Sequence, residues 1–221
     1  MAKINKHIAI VRSDVAGLSS LSHASAESIQ KSLKRRYKHV DISVINDLAG
    51  LERLVERSPD LVFLGMKFLP INPNLGKHDP SKIWIAAYLD QFGILYTGSN
   101  HLAAAYDHDK SLAKQQVQLS GLSTSDFFVA TPGSCRSSKD LPLSYPLFIK
   151  PVAMGGGQGV NERSVVNNFS EYTAKVKTIF DEYRSASLVE KYLSGREFSV
   201  SLLADSQSGE LVAMPIELVA E

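Results

Sequence analysis

The 221 residues carry 24 Lys and Arg against 23 Asp and Glu, a formal net charge of +1, so no overall field draws the chain to nucleic acid. No apolar run is long enough to cross a bilayer. A single cysteine, Cys135, excludes an internal disulfide framework and a cysteine zinc site, and the 44% apolar fraction is that of an ordinary globular core. No apolar leader is visible at the N-terminus, and the expectation is a cytoplasmic protein with no nucleic-acid or membrane partner.

In chain order, His7 to Arg12 reads as a buried strand. Ala26, Ile29, Leu33 and Tyr37 recur at helical spacing. The basic run Lys34-Arg35-Arg36-Tyr37-Lys38 then reads as a solvated helix end, where cations suit the macrodipole. Val40 to Ile45 alternates as a strand does, Leu48, Leu51, Leu54 and Val55 form a short helix, and Leu61 to Gly65 is a third strand. This β-α-β-α-β alternation predicts a parallel sheet with helices on its faces. Leu69 to Pro80, with three prolines, reads as a loop at the carboxyl end of a strand, where ligands bind in open α/β sheets. A helix through Ile83, Ala86, Ala87 and Leu89 follows, then a short strand and turn over 94–99. Two helices are expected over 102–106 and 111–119, with Gly121 as a stop.

The pattern then becomes α+β. Asp126 to Ala130 and Tyr145 to Lys150 are strand-like, and Asn161 to Val166 is placed to return antiparallel. Asn168 and Glu171 open a helix whose apolar stripe is Phe169, Tyr172, Val176, Ile179, Phe180 and Tyr183. Strands are expected over 186–192, 197–204 and 211–218. The boundary between the two halves falls near residues 105–110.

Phe148-Ile149-Lys150-Pro151 runs into Val152-Ala153-Met154-Gly155-Gly156-Gly157-Gln158-Gly159. Glycines let a backbone approach a ligand closely, and successive free N–H groups form an anion nest. The lysine precedes the glycines, which excludes a P-loop, and neither glycine register fits a dinucleotide fingerprint. The remaining phosphate-loop type is a flexible loop between antiparallel strands that folds over the phosphates. The bland alternative is a glycine-rich hairpin with no ligand, but four glycines impose an entropic cost without packing gain. Lys110, at a helix start, and Lys150 are the phosphate candidates, whereas Lys114 reads as solvated. In Val189-Glu190-Lys191-Tyr192-Leu193, the backbone and the Glu190 carboxylate offer partners for adenine, and Glu197 for ribose. Taken singly, each acid reads more often as a surface residue.

In this order, Lys110, the Lys150 strand with its glycine loop, and Val189 to Glu197 resemble the ATP-grasp superfamily, and within it the D-alanine–D-alanine ligase family. The resemblance is strong from residue 93 onward. It implies a pre-ATP-grasp α/β domain over 1–106 and an ATP-grasp domain over 107–221, the latter incomplete, with a first subdomain over 107–186 and the start of a second over 187–221. It implies an ATP-dependent carboxylate–amine ligase acting through an acyl phosphate. Lys110 and Lys150 would hold phosphates, and Gly155, Gly156, Gly157, Gln158 and Gly159 would form the lid. Glu190, Lys191 and Leu193 would hold adenine, and Glu197 the ribose. ATP and Mg2+ are the implied cofactors, with the magnesium ligands expected beyond residue 221 and no catalytic residue or metal ligand assigned within the chain. The chain by itself is therefore expected to be inactive. Small carboxylate and amine substrates are the implied partners, and a homodimer is an assembly that the family allows.

Three departures point away from D-alanine. The family's lid carries serines where Gly156 and Gly157 stand, its first loop carries a glutamate that 13–20 lacks, and Met66-Lys67-Phe68 replaces its His-Gly. The missing lid serines and metal ligands also leave room for a second reading, a non-catalytic nucleotide-binding or regulatory module.

Overall fold

The structure, a computed structural model, describes residues 2–79, 81–205 and 207–219. β1 (Ile4–Arg12) is followed by α1 (His23–Leu33), β2 (Tyr37–Val44), α2 (Leu48–Glu56) and β3 (Leu61–Leu64). β2 and β3 flank β1, both parallel to it, as the alternation of strands and helices predicts. Both faces of the sheet are covered, and the period of two along β1 shows how. Ile8 and Ile10 pack with Ala26 of α1 and with Val40, while Ala9 and Val11 pack with Leu51 and Leu54 of α2. Ser22 and Asp47 cap α1 and α2, accepting from Ser25 N at 3.0 Å and Gly50 N at 2.7 Å. Lys34, Arg35 and Arg36 are exposed just beyond α1, as their composition suggests.

The next stretch departs from expectation. β4 (Phe68–Pro70) pairs antiparallel with β5 (Lys82–Trp84), so Leu69 lies opposite Ile83. Residues read as loop and as helix start are therefore strand, and α3 begins only at Ile85 and runs to Gln91. Pairing across the turn overrides the helical spacing of Ile83, because the ladder satisfies backbone groups that a first helical turn leaves open. Residues 94–99 contribute one parallel bridge, Val62 to Tyr96, beside β3.

α4 (His101–His108) and α5 (Lys110–Leu119) lead into the second half. There β6 (Phe127–Ala130), β7 (Leu147–Pro151), β8 (Val165–Val166) and β9 (Ser187–Lys191) form an antiparallel sheet of order β6-β9-β7-β8. The glycine loop joins β7 to β8, between antiparallel strands as expected, although only two residues of the return pair. α6 (Phe169–Tyr183) covers one face, burying Tyr172, Val176 and Ile179 against Leu147, Ile149 and Val189. Each such aliphatic side chain contributes about 1.5–3 kcal/mol. Phe180, expected on this stripe, is instead 37% exposed, and the buried face includes Lys175.

β10 (Glu197–Ala204) and β11 (Leu211–Leu218) form a separate antiparallel hairpin, exposed on both faces.

Candidate functional site

The alternation of strands β7 and β9 sets the site. Leu147, Ile149 and Val189 face α6, so Lys150, Leu188 and Glu190 face the other way. Phe148 lies opposite Glu190, which makes Lys150 its diagonal neighbour on the same face. Helix α5 closes this face from the side. Its N-cap, Asp109, accepts from Ser111 N at 2.8 Å and Leu112 N at 3.1 Å, and the first helical residue is Lys110. One turn on, Lys114 faces the same way. These residues, with Met154 and Gly155, line a cavity of about 540 Å³.

Glu190 is the centre of the charge arrangement. Its Oε2 lies 2.6 Å from Lys150 Nζ, and its Oε1 lies 2.7 Å from Lys114 Nζ. Ser125 Oγ donates to Oε1 at 3.1 Å. Burial alone would raise this carboxyl, but the hydrogen bonds and charges of Lys114 and Lys150 outweigh it and hold it below its usual range. Both oxygens are thus engaged by lysines, whereas the sequence reading gave Glu190 to adenine. Lys114, read from sequence as solvated, is enclosed: it also donates to Thr124 Oγ1 at 2.7 Å and Ser125 Oγ at 2.8 Å. The spacing of four from Lys110 was the signal for it.

Lys110 clamps the start of the glycine loop. Its Nζ donates to the carbonyls of Pro151 at 3.2 Å, Val152 at 3.3 Å and Met154, which uses all three of its donors. Burial, then the charge of Lys150, pushes its ammonium below the usual lysine range. Lys150 differs. Its ammonium pairs with Glu190 and lies 5.6 Å from the Phe148 ring centroid, and two of its donors stay unengaged among the described residues.

The loop divides. Gly155 lines this cavity, while Gly155, Gly156 and Gln158 line a neighbouring cleft. Gly157 has open space around it. Gly159 has a packing role: at φ +76, a Cβ there would lie 2.5 Å from Pro151 Cγ. Its carbonyl accepts from the buried Lys175 ammonium at 2.9 Å, which also donates to Asn161 Oδ1 at 2.9 Å. Lys191, Leu193 and Glu197 lie outside the cavity lining. The Lys191 N–H is taken by the Asp126 carbonyl at 3.0 Å, Leu193 is 68% exposed, and Glu197 opens the exposed hairpin.

Three lysines around one buried carboxylate leave a cationic surplus beside a glycine loop. Such a surface attracts anions, and phosphate oxygens in particular. Among the described residues, no group of three His, Cys, Asp or Glu is placed to hold a metal ion. Among the described residues, no helix is long and apolar enough to cross a membrane.

Comparison with known proteins finds similar chains among D-alanine--D-alanine ligases. The D-alanine--D-alanine ligase of Geotalea uraniireducens (strain Rf4) is 29% identical over 211 residues, covering 95% of this chain and 63% of that protein. D-alanine--D-alanine ligase A of Bacillus cereus is 28% identical over 175 residues, covering 79% and 53%. The chain thus spans somewhat over half the length of these relatives. Among solved structures, the Bacillus anthracis D-alanine--D-alanine ligase complexed with ATP aligns with a TM-score of 0.62 at 21% identity, over 99% of this chain and 72% of that one. The Helicobacter pylori ligase aligns with a TM-score of 0.56 at 16% identity, over 95% and 70%. At those identities the structural likeness carries the fold. Residues 115–221 match the family model described as D-ala D-ala ligase C-terminus, so the chain is similar to D-alanine--D-alanine ligases in sequence and in fold.

Proposed function

We propose that this chain forms the nucleotide-binding part of an ATP-dependent carboxylate–amine ligase. The observation that carries the reading is the cluster of Lys110, Lys114 and Lys150 about Glu190 at the mouth of the glycine loop. Lys150, with free donors, contacts the phosphates directly. Lys110 and Lys114 add charge and hold the loop start and the carboxylate in place. Gly155 to Gly159 fold over the phosphates, while Lys191, Leu193 and Glu197 complete the adenosine side through backbone groups and one carboxylate. The division into 1–106 and 107–221 belongs to the same reading, as do a cytoplasmic setting and a homodimeric assembly.

In this reaction a carboxylate oxygen attacks the γ-phosphorus of ATP and ADP leaves. An amine then attacks the acyl carbon, expels phosphate and loses a proton. The three lysines offset the negative charge of the phosphates as they are held in line. Magnesium accompanies ATP in such enzymes. Its ligands are expected beyond residue 221.

The test is a titration of the folded chain with ATP, followed by calorimetry and thermal unfolding. At a hundredfold excess over Kd, binding stabilises by ~2.7 kcal/mol. Lys150→Ala removes the direct phosphate contact and weakens binding by roughly tenfold or more, equal to about 1.4 kcal/mol. A folded protein that shows no heat and no stabilisation at millimolar ATP overturns the proposal.

A further inference from the structure

Beside the lysine cavity lies a second cleft, of about 440 Å³, whose lining includes Gly17, Ser19, Lys67, Lys77, His108 and Gln158. Met154 and Gly155 line both, so a molecule in the cleft sits next to the lysines around Glu190. The charges in the cleft are unequal. Lys67 forms an ion pair with Asp107. Burial, with the charges of Lys82 and Lys67, pushes His108 down to about 4, so its ring is neutral at neutral pH. Lys77 makes no ion pair among the described residues. Its stem passes under Gly17, where a Cβ would lie 2.9 Å from Lys77 Cδ and the positive φ of +78 strains any other residue. Among the described residues, no aspartate or glutamate lines the cleft. The nearby Gly65 carbonyl is already occupied, accepting from Ser20 N at 2.8 Å, Ser20 Oγ at 2.9 Å and Ser19 Oγ at 3.1 Å.

We infer that Lys77 is the acid-recognition residue of this cleft and that it selects a carboxylate with no ammonium on the adjacent carbon. An anion there meets an unpaired cation. An ammonium there would lose its water with no carboxylate to replace it, which is costly. This inference names the acid substrate of the proposed ligase and rests on that reading for its position beside the phosphates.

The test is calorimetric titration of the chain with propionate, 2-hydroxypropionate and succinate against both enantiomers of alanine, with ATP titrated separately. At least one ammonium-free acid binds roughly tenfold or more tightly than alanine, a difference of ~1.4 kcal/mol. Lys77→Met keeps the stem but loses the charge, and it abolishes that binding while leaving ATP affinity intact. Gly17→Ala displaces the lysine and gives the same loss. Alanine binding as tightly as its isosteres, no acid binding at all, or full binding by Lys77→Met each overturns the inference. Acid discrimination without ATP binding would instead remove the nucleotide reading and leave the Lys77 site standing.

Discussion

Glu190 holds Lys150 at 2.6 Å through one oxygen and Lys114 at 2.7 Å through the other, joining a strand to a helix in one buried charge bridge. Its carboxylate keeps two ammonium groups close that would otherwise repel. Glu190→Ala leaves both without their anion. Fully enclosed pairs broken in this way lose about 3–5 kcal/mol, and the partial exposure of Lys150 reduces the expected loss to ~2–3 kcal/mol. Urea unfolding measures it, and a change below about 0.5 kcal/mol would show that the bridge is energetically idle.

The same bridge sets a pH dependence. The folded Glu190 carboxyl is held below its ordinary value of 4.5. Its stabilisation is therefore present above the unfolded value and is lost as pH falls from there through the folded one. The stability gap between the native chain and Glu190→Gln should be constant near neutrality and narrow in acid. A gap that widens on acidification would contradict the assignment.

Two glycines of the loop should respond differently to the same substitution. Gly159→Ala adds a methyl 2.5 Å from Pro151 Cγ at a positive φ, whereas Gly155 has no heavy atom within 4 Å of a Cβ. Left-handed backbone costs ~1–2 kcal/mol for a non-glycine residue, and overpacking adds ~1–3 kcal/mol. Gly159→Ala should lower the thermal midpoint clearly, with Gly155→Ala within error of the parent. Equal shifts would refute the packing role.

Lys175 ties the far end of the loop to α6 by two hydrogen bonds. Burial pushes its ammonium below the ordinary lysine range, yet both bonds are made. Lys175→Met keeps the apolar stem and removes the bonds, each worth ~1.5–3 kcal/mol when the donor is charged. Amide hydrogen exchange over 157–163 should then accelerate severalfold while β7 and β9 keep their protection. Unchanged exchange would mean that the loop is held elsewhere.

Much of the local architecture was legible before any contact was known. The apolar run from Ile8 to Val11 marked a buried strand, and Asn168 with Glu171 marked the start of α6 correctly. The reading failed where a long-range partner competed with local spacing. Ile83 left its helix for a ladder with Leu69, and Lys114 left solvent for Glu190.

By itself, the sequence determined the parallel β-α-β frame and a glycine loop between antiparallel strands with Lys150 before it. Those features follow from side-chain period and from the backbone freedom of each residue, which act over a few positions. Only the tertiary structure decided that Glu190 binds two lysines, that Lys110 spends its donors on carbonyls, and that Lys77 lines the neighbouring cleft with no ion pair among the described residues. The physical reason is that an ion pair depends on register and docking between distant segments. Ser125 and Glu190, 65 residues apart in sequence, meet at 3.1 Å because β6 and β9 pair, and no local pattern encodes that distance.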